Sequence, residues 1–388
     1  MKKKIAFVPG VFFPDYGGAQ IQCHNLANRL VELGFEIHMF TFKQSNIKNK
    51  KYNIFNLNNL ILKIVFIFKY YCNLNIEKIL EIYLKNKILN DNYEAWHFHF
   101  INYKSLILIN VLKKLNQKII VTFQGIDLQI EKNINYGYRL NKKYDKYLRE
   151  TIKNVDCFFY ISRAIKKDLE KLGINSNKLR FFPNSIYAQK FKTINTRVKK
   201  SKKIIFLTVG RYAIQKKGYD RLPLIAQYLI DKNVNFKWIV VGAGCKKLLS
   251  NKFISKNKNF FQILDNIKNE NEFFFPSSEL IKIYKKSDIY INLSRIESFG
   301  ISYIEALASK LPLISFDIKG ANEIIKNNSN GIIVKRNNTI EFAKKLEEIT
   351  KNKKKLNLLK SNCHKGIEKY FLDNSLKNNL SIYLTKKQ

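Results

Sequence analysis

The stretch KKSDIYINLSRIESFGISYIEALASKLPLI, Lys285 to Ile314, carries the pattern on which the fold turns. Its β-branched and aromatic run Asp288–Leu293 reads as a strand. A loop follows, Ile301–Ser309 reads as a helix, and Leu311–Phe316 reads as the next strand. Two strands joined through one helix make a parallel βαβ unit. The loop leaving the first strand opens the helix, where backbone N–H groups and the helix dipole favour anions. Glu297 lies in that loop and Glu305 on the helix, eight positions apart. Around Glu305 the helix is apolar, with Ile301, Ile304, Ala306, Leu307 and Ala308. A carboxylate buried there needs a partner. Hydroxyl groups are suitable donors, because a carboxylate only accepts. The alternative is one surface Glu on an amphipathic helix.

The same rhythm runs outward in both directions. Upstream, Ile204–Val209 and Phe236–Val241 read as strands, with helices at Tyr219–Ile230 and Ser278–Lys286. Towards the N-terminus, Lys4–Val8, Phe35–Thr41, Ala95–Phe100, Lys118–Phe123 and Cys157–Ile161 repeat the strand pattern, and Ala19–Leu33 is a helix closed by Gly34. The rhythm breaks at Pro183–Lys203, which holds Pro183-Asn184 and the lysine-rich run Lys199–Lys203, and this reads as a linker. The expected organisation is α/β, with two doubly wound Rossmann-like domains at residues 1–190 and 191–365. Residues 366–388 are expected to form a helical segment packing back on the first domain. Two such domains facing each other create a cleft, and ligands of open α/β sheets sit at the carboxyl ends of the strands.

The chain has 388 residues, 46% of them apolar and 13% aromatic, which excludes intrinsic disorder. Seventy Lys+Arg against 30 Asp+Glu leave a net charge of +40. Only 10 of the basic residues are Arg, and Lys, Asn, Ile, Phe and Tyr are all heavily used, as an AT-rich genome would produce. A Lys-rich solvated surface is the bland reading, and a face for anionic lipid is the sharper one. Base-reading proteins rely on the bidentate Arg fork, so nucleic acid is not expected as a partner. Five scattered cysteines with no CxxC fit a reducing compartment. The start MKKKIAFVPGVFFP is broken by Pro9, Gly10 and Pro14 and reads as a strand, not a signal peptide. The most apolar segment, Leu60–Cys72, is too short to span a bilayer, which needs about 20 apolar residues.

Two more strand-to-helix loops carry anion chemistry. Val209-Gly210-Arg211 is followed by Gln215-Lys216-Lys217-Gly218, so Arg211 and Lys217 stand where two cations can hold a pyrophosphate without a metal. Gly17-Gly18 lets a phosphate approach the backbone closely, although it is not GxGxxG. In the first half, His97 and His99 alternate on one strand face, and Gln124 and Asp127 follow another strand's end. HxH can be a metal pair, a polar contact in the cleft or part of the core, and no third ligand at matching spacing is evident. No Asp-x-Asp, GxxxxGK[ST] or GxSxG occurs, which weighs against metal–diphosphate clamps, P-loop enzymes and hydrolases.

Together these segments resemble the retaining family-4 glycosyltransferases (glycosyl transferases group 1) with the GT-B fold. The resemblance rests on GGAQ at Gly17–Gln20, Ile161–Ser185 ending in Pro-Asn-Ser, VGRYAIQKKGYDRL at Val209–Leu222, VVGAG at Val240–Gly244, and the Glu297–Glu305 pair with Gly320 and Asn322-Glu323 downstream. It implies an N-terminal acceptor domain and a C-terminal nucleotide-sugar donor domain. It implies that Gly210, Arg211 and Lys217 hold the donor diphosphate and Glu305 the ribose hydroxyls. Glu297, with Ser298, Phe299, Gly300 and Ile301, would hold the donor sugar, and Gly17 and Gly18 would close over the phosphate or the acceptor. Glu297, Gln124, Arg211 and Lys217 are the candidate catalytic residues, and His99 and Asp127 the acceptor or cleft residues. Where the family carries Thr-x-His-Gly, this chain has Gln124, which can donate a hydrogen bond but takes no proton at neutral pH.

The expected activity is metal-independent, with no cofactor: transfer of a hexose-type sugar from a UDP-sugar. The acceptor is expected to be a glycan or lipid-linked molecule of surface polysaccharide or glycolipid synthesis. The expected location is the cytoplasm, and the basic charge with Leu60–Cys72 points to peripheral contact with the inner face of the cytoplasmic membrane. A nucleotide-sugar epimerase or a phosphorylase of the same fold, and a non-catalytic basic module for membrane or nucleic acid, are the competing readings.

Overall fold

The computed structural model describes residues 2–15, 17–45, 47–57, 59–72, 74–87, 92–195, 203–265, 267 and 272–384. The chain divides into two compact units, Met1–Asn184 with Ser375–Gln388, and Ser185–Asn374.

The first unit is built on strands β1 (Lys4–Pro9), β2 (Glu36–Thr41), β3 (Asn53–Asn56), β4 (Tyr93–His99), β5 (Ile119–Thr122), β6 (Cys157–Tyr160) and β7 (Leu179–Phe181). Their order is β3-β2-β1-β4-β5-β6-β7, all parallel. The second unit holds β8 (Ile204–Val209), β9 (Phe236–Val241), β10 (Phe261–Leu264), β11 (Ile289–Asn292), β12 (Leu313–Phe316) and β13 (Gly331–Val334). Their order is β10-β9-β8-β11-β12-β13, again parallel. Central strands of parallel sheets are covered on both faces and read as unbroken apolar runs. Ile5, Ala6, Phe7 and Val8 of β1 accordingly have no exposed surface. Strand order reverses between β1 and β4 and between β8 and β11, which are the ligand-binding crevices of such sheets.

The four strands that patterning misses, β3, β7, β10 and β13, are the four sheet edges. β3 and β10 are half exposed, β7 has three residues, and β13 begins at Gly331. The unit boundary also differs from expectation. It falls at Asn184/Ser185 rather than 190/191, and the return to the first unit falls at Ser375 rather than 366. The expected linker starts with ordered structure: helix Ala188–Thr193 belongs to the second unit and buries Phe191. Lys199–Lys202 of the basic run lie outside the described residues.

The C-terminal segment completes the first unit. Helix Leu380–Leu384 buries Tyr383, whose hydroxyl lies 2.8 Å from His97 Nδ1. Asn379 Nδ2 donates to the Phe181 carbonyl at 3.1 Å, and the Lys118 ammonium donates to the Ile382 carbonyl. Leu60–Cys72 is largely the helix Asn59–Tyr71, which buries Leu62 and Val65 but leaves much of its apolar surface open. Among the described residues, no helix is long and apolar enough to cross a membrane.

Candidate active site

In the second unit the site grows from the loops that leave β8 and β11. Gly210 follows β8, and the stem of Lys217 lies so close that a Cβ at Gly210 would stand 3.3 Å from its Cε. Gly242 (φ +156) allows the loop after β9 to press on the same turn, since its Cβ would meet the Gly210 carbonyl oxygen at 2.1 Å. A side chain at Gly242 would push the two loops apart, and one at Gly210 would displace the stem of Lys217.

The loop after β11 brings Glu297 to Lys217. Their side chains form an ion pair, and Ser294 Oγ donates to the same carboxylate oxygen, Oε1, at 3.1 Å. Glu297 is only 9% exposed. Burial alone would push its carboxyl up, but the ammonium charges of Lys217 and Lys216 and the two hydrogen bonds outweigh this and hold it below the usual range. Burial of Lys216 lowers its ammonium below the usual range, and the charge of the exposed Arg211 adds to this against the pull of Glu297. Lys217 and Lys216 thus act on one carboxylate with the charge of Arg211 close to Lys216, leaving an excess of positive charge. Gly320 backs Glu297: its N–H donates to the Glu297 carbonyl at 2.9 Å, and a Cβ there would meet that oxygen at 2.7 Å.

Gly300 (φ +90) turns the loop into helix Ile301–Ala308. One turn in, Glu305 is 6% exposed, so the surface-facing alternative fails. Its Oε2 accepts a 2.7 Å bond from Tyr284 Oη. Burial pushes its carboxyl up to about 7, against the Tyr284 bond and the charge of Lys190. Lys190 in turn is held by the Glu272 carboxylate and the carbonyls of Phe274 and Pro276. Ser298 and Phe299 are buried, and Phe299 packs edge-on to Tyr370 at 5.4 Å.

In the first unit the candidate residues gather at the ends of β4 and β5. His99 is buried, stacked on Phe7 at 5.1 Å, with Nε2 3.1 Å from His97 Nδ1. Its Nδ1 has no hydrogen-bond partner among the described residues. β4 is a central strand, so the pair sits in the core and not at a sheet edge. Asp127 is fully buried and receives N–H bonds from Gln124, Gly125 and Ile101, which shape the turn after β5. Burial raises it to about 7 despite those bonds. Gln124 and Asn184 exchange amide bonds at 2.9 and 3.2 Å. Gly17 starts helix Gly18–Glu32, with its N–H bonded to Gln20 Oε1 at 2.9 Å.

Comparison with known proteins settles the family. Residues 16–190 match the model for Glycosyltransferase Family 4, and residues 189–366 match that for Glycosyl transferases group 1. The chain is a group 1 glycosyltransferase. It is 20% identical over 337 residues to the phosphatidylinositol N-acetylglucosaminyltransferase GPI3 subunit of Saccharomyces cerevisiae, covering 83% of this chain and 70% of the relative. In structure it resembles a glycosyltransferase from Rickettsia africae ESF-5, with a TM-score of 0.72, 21% identity and 98% of each chain covered. Anabaena HepE in complex with UDP matches with a TM-score of 0.72, 13% identity and 98% of each chain. The neighbours carry the GT-B fold, as the sequence led one to expect.

Sequence reading missed several residues that shape the glycosyltransferase site. Arg295 grips Asp220 bidentately at 2.8 and 2.6 Å, and its N–H donates to the Lys216 carbonyl at 2.8 Å, locking the β11 loop to the Lys216-Lys217 turn. Arg221 donates to the Leu293 carbonyl at 2.9 Å. Two of the 10 arginines are spent on this lock, so Arg scarcity was itself a signal. Lys190 and Lys216 carried no signal in so Lys-rich a chain.

Two consequences follow for the glycosyltransferase. Gly320→Ala is expected to displace Glu297 and lower turnover about tenfold or more, read by steady-state kinetics beside a melting curve. The second concerns pH. Glu305 binds a proton more readily folded than unfolded, so the stability this adds is present below its ordinary value of 4.5 and lost as pH rises through about 7. Asp127 acts with the same sign, and the buried His97 and His99 act with the opposite one. The variant difference is therefore the clean readout. Glu305→Gln should gain stability on wild type between pH 5 and 8, by up to about 3 kcal/mol. Urea melts giving a difference that does not change with pH would overturn it.

Proposed function

We propose that the enzyme transfers a hexose-type sugar from a UDP-sugar to a glycan or lipid-linked acceptor in surface polysaccharide or glycolipid synthesis, with retention at the anomeric carbon and without a metal ion. The observation that carries this reading is the Lys217–Glu297 ion pair at the β8–β11 crevice, where Lys216 acts on the same carboxylate and Arg211 stands exposed within reach of Lys216. Side-chain cations there meet a diphosphate's charge. Helix Ile301–Ala308 adds its N-terminal dipole, and buried Glu305 takes ribose hydroxyls in its ionised form. UDP agrees with the nucleotide of the HepE complex, and a lipid acceptor agrees with the name of the yeast relative.

In the reaction the bond between the sugar's anomeric carbon and the β-phosphate oxygen breaks. UDP leaves with the electron pair, and the cations stabilise that charge. The acceptor hydroxyl oxygen bonds the anomeric carbon on the face UDP vacates, and its proton passes to the leaving phosphate oxygen. Glu297, held ionised by Lys217, orients the sugar. Gly17 and Gly18 close over the phosphate or the acceptor, Gln124 is a catalytic residue, and His99 and Asp127 serve the acceptor, Asp127 by shaping the turn that carries Gln124.

Thermal stabilisation by UDP, GDP, ADP, CMP and NAD, with and without Mg²⁺, tests the reading. Selective, metal-independent stabilisation by UDP is expected. Response to none of them would overturn it.

A further inference from the structure

Helix Ala188–Thr193, in the stretch whose composition reads as a linker, is stitched to helix Ser278–Lys286 and the turn before it. On one side the Lys190 ammonium bonds the Glu272 carboxylate and the carbonyls of Phe274 and Pro276. Tyr187 stacks on Phe274, with ring centroids 4.2 Å apart and planes at 15°. On the other side Lys285 Nζ donates to the Ile194 carbonyl at 2.6 Å. Glu272 also accepts from the N–H and hydroxyl of Ser278, the first residue of the second helix, at 2.8 and 3.0 Å. That helix carries Tyr284 to Glu305. One continuous run of contacts therefore leads from Lys190 to the buried carboxylate.

Lys190 also acts on Glu305 directly, through charge. An ammonium has three N–H donors and no acceptor, and Glu272, Phe274 and Pro276 take all three. Its side chain is 13% exposed, so it has no donor left for a bound nucleotide. What it offers the site is a fixed positive charge. That charge favours the ionised form of Glu305 against burial, and Glu305 in turn supports the ammonium. The other titratable groups acting on Glu305 are Tyr284 on helix Ser278–Lys286 and Tyr290 on β11. Burial pushes both phenols up, so they stay neutral near pH 7. Among the described residues, Lys190 is the cation whose charge reaches Glu305.

We propose that Lys190 is a positioning residue of the donor site: it fixes the segment 272–278, and through it Tyr284, and holds a positive charge towards the carboxylate of Glu305. This rests on the reading that Glu305 takes the ribose hydroxyls, and it gives that buried carboxylate the support it needs to serve near neutral pH. The rival role is a brace that holds the fold and leaves Glu305 unaffected.

Calorimetric titration of the full-length protein with UDP between pH 6 and 9, beside melting curves without nucleotide, tests the proposal. Wild-type affinity should rise with pH around 7. In Lys190→Met the rise should move up by about one pH unit, so affinity falls about fivefold at pH 7 and returns towards wild type by pH 9. Lys190→Arg keeps the charge and should keep the wild-type midpoint. Lys285→Met breaks the other stitch while leaving Lys190 in place, and should lower the melting temperature without moving the midpoint. If Lys190→Met does not fold, Lys190→Gln, which keeps a donor and loses the charge, takes its place with the same expected shift. An unmoved midpoint in the folded charge-free variant, a loss equal at every pH, or an equal shift in Lys190→Arg or Lys285→Met would each overturn the proposal and leave the ribose reading standing. A flat wild-type profile would instead remove Glu305 from the ribose, and the proposal with it.

Discussion

Turnover by Lys217→Met is expected to fall about 10³-fold, with the fold intact. Lys217 is the cation in direct contact with Glu297, and it stands over Gly210 at the end of β8. Charge placed where a leaving group becomes anionic acts in the transition state more than in the ground state, so kcat should carry most of the loss. Met keeps the length and apolar stem of the side chain and removes only the charge. The substitution also leaves Glu297 to Lys216 and Ser294, so it rises towards the ordinary carboxylate range. Glu297→Gln should be similarly impaired, and the double variant should be little worse than either single one, because the pair acts as a unit. Steady-state kinetics with the donor identified by the nucleotide panel, and donor hydrolysis without acceptor, are the measurements. A Lys217→Met enzyme within threefold of wild type would remove the pair from the reaction.

With Glu305 on the ribose as proposed, Glu305→Ala is expected to weaken nucleotide binding about 10²-fold, since two hydrogen bonds from hydroxyls to a charged acceptor would be lost. The effect should grow with pH. Glu305 stands near 7 in the free enzyme, and only its ionised form accepts both hydroxyls, so wild-type affinity for UDP should rise from pH 6 to pH 8. The Ala variant should show no such rise. Calorimetric titrations at three pH values decide it, and a flat wild-type profile would take the ribose contact away from Glu305. Tyr284→Phe gives a finer check. Loss of its 2.7 Å bond leaves Glu305 harder to ionise, so affinity should fall at pH 6.5 and recover by pH 8.

The parts of this molecule most visible in sequence are those where burial on both faces imposes a pattern. β1, β8, β9 and β11 announce themselves because their runs are mostly apolar, and edge strands lack that constraint. Asp288–Leu293 was legible to within a residue at each end, whereas Asn53–Asn56 was not legible at all. The candidate site divides in the same way. Glu297 and Glu305 stand out because carboxylates among apolar neighbours demand a reason. Arg221 hides because it acts through the backbone carbonyl of Leu293, which leaves no trace in side-chain patterning, and Arg295 because its partner Asp220 lies 75 positions away in the chain. Gln124 was legible as a position but not in its pairing with Asn184, which only the folded turn brings within reach.

The assignment of Ser375–Gln388 to the first unit has a consequence for how the protein is made. A ribosome that has produced residues 1–184 has not yet produced Tyr383, which covers His97 and packs beside Phe159. All of residues 185–374 must be translated first, a wait on the order of 10–40 s at 5–20 residues per second. During that interval the nascent first unit carries an open apolar seam beside β4 and β6, and the second unit can finish folding before it. A fragment ending at Asn184 would keep that seam permanently, which makes it a target for chaperones rather than a usable half of the enzyme.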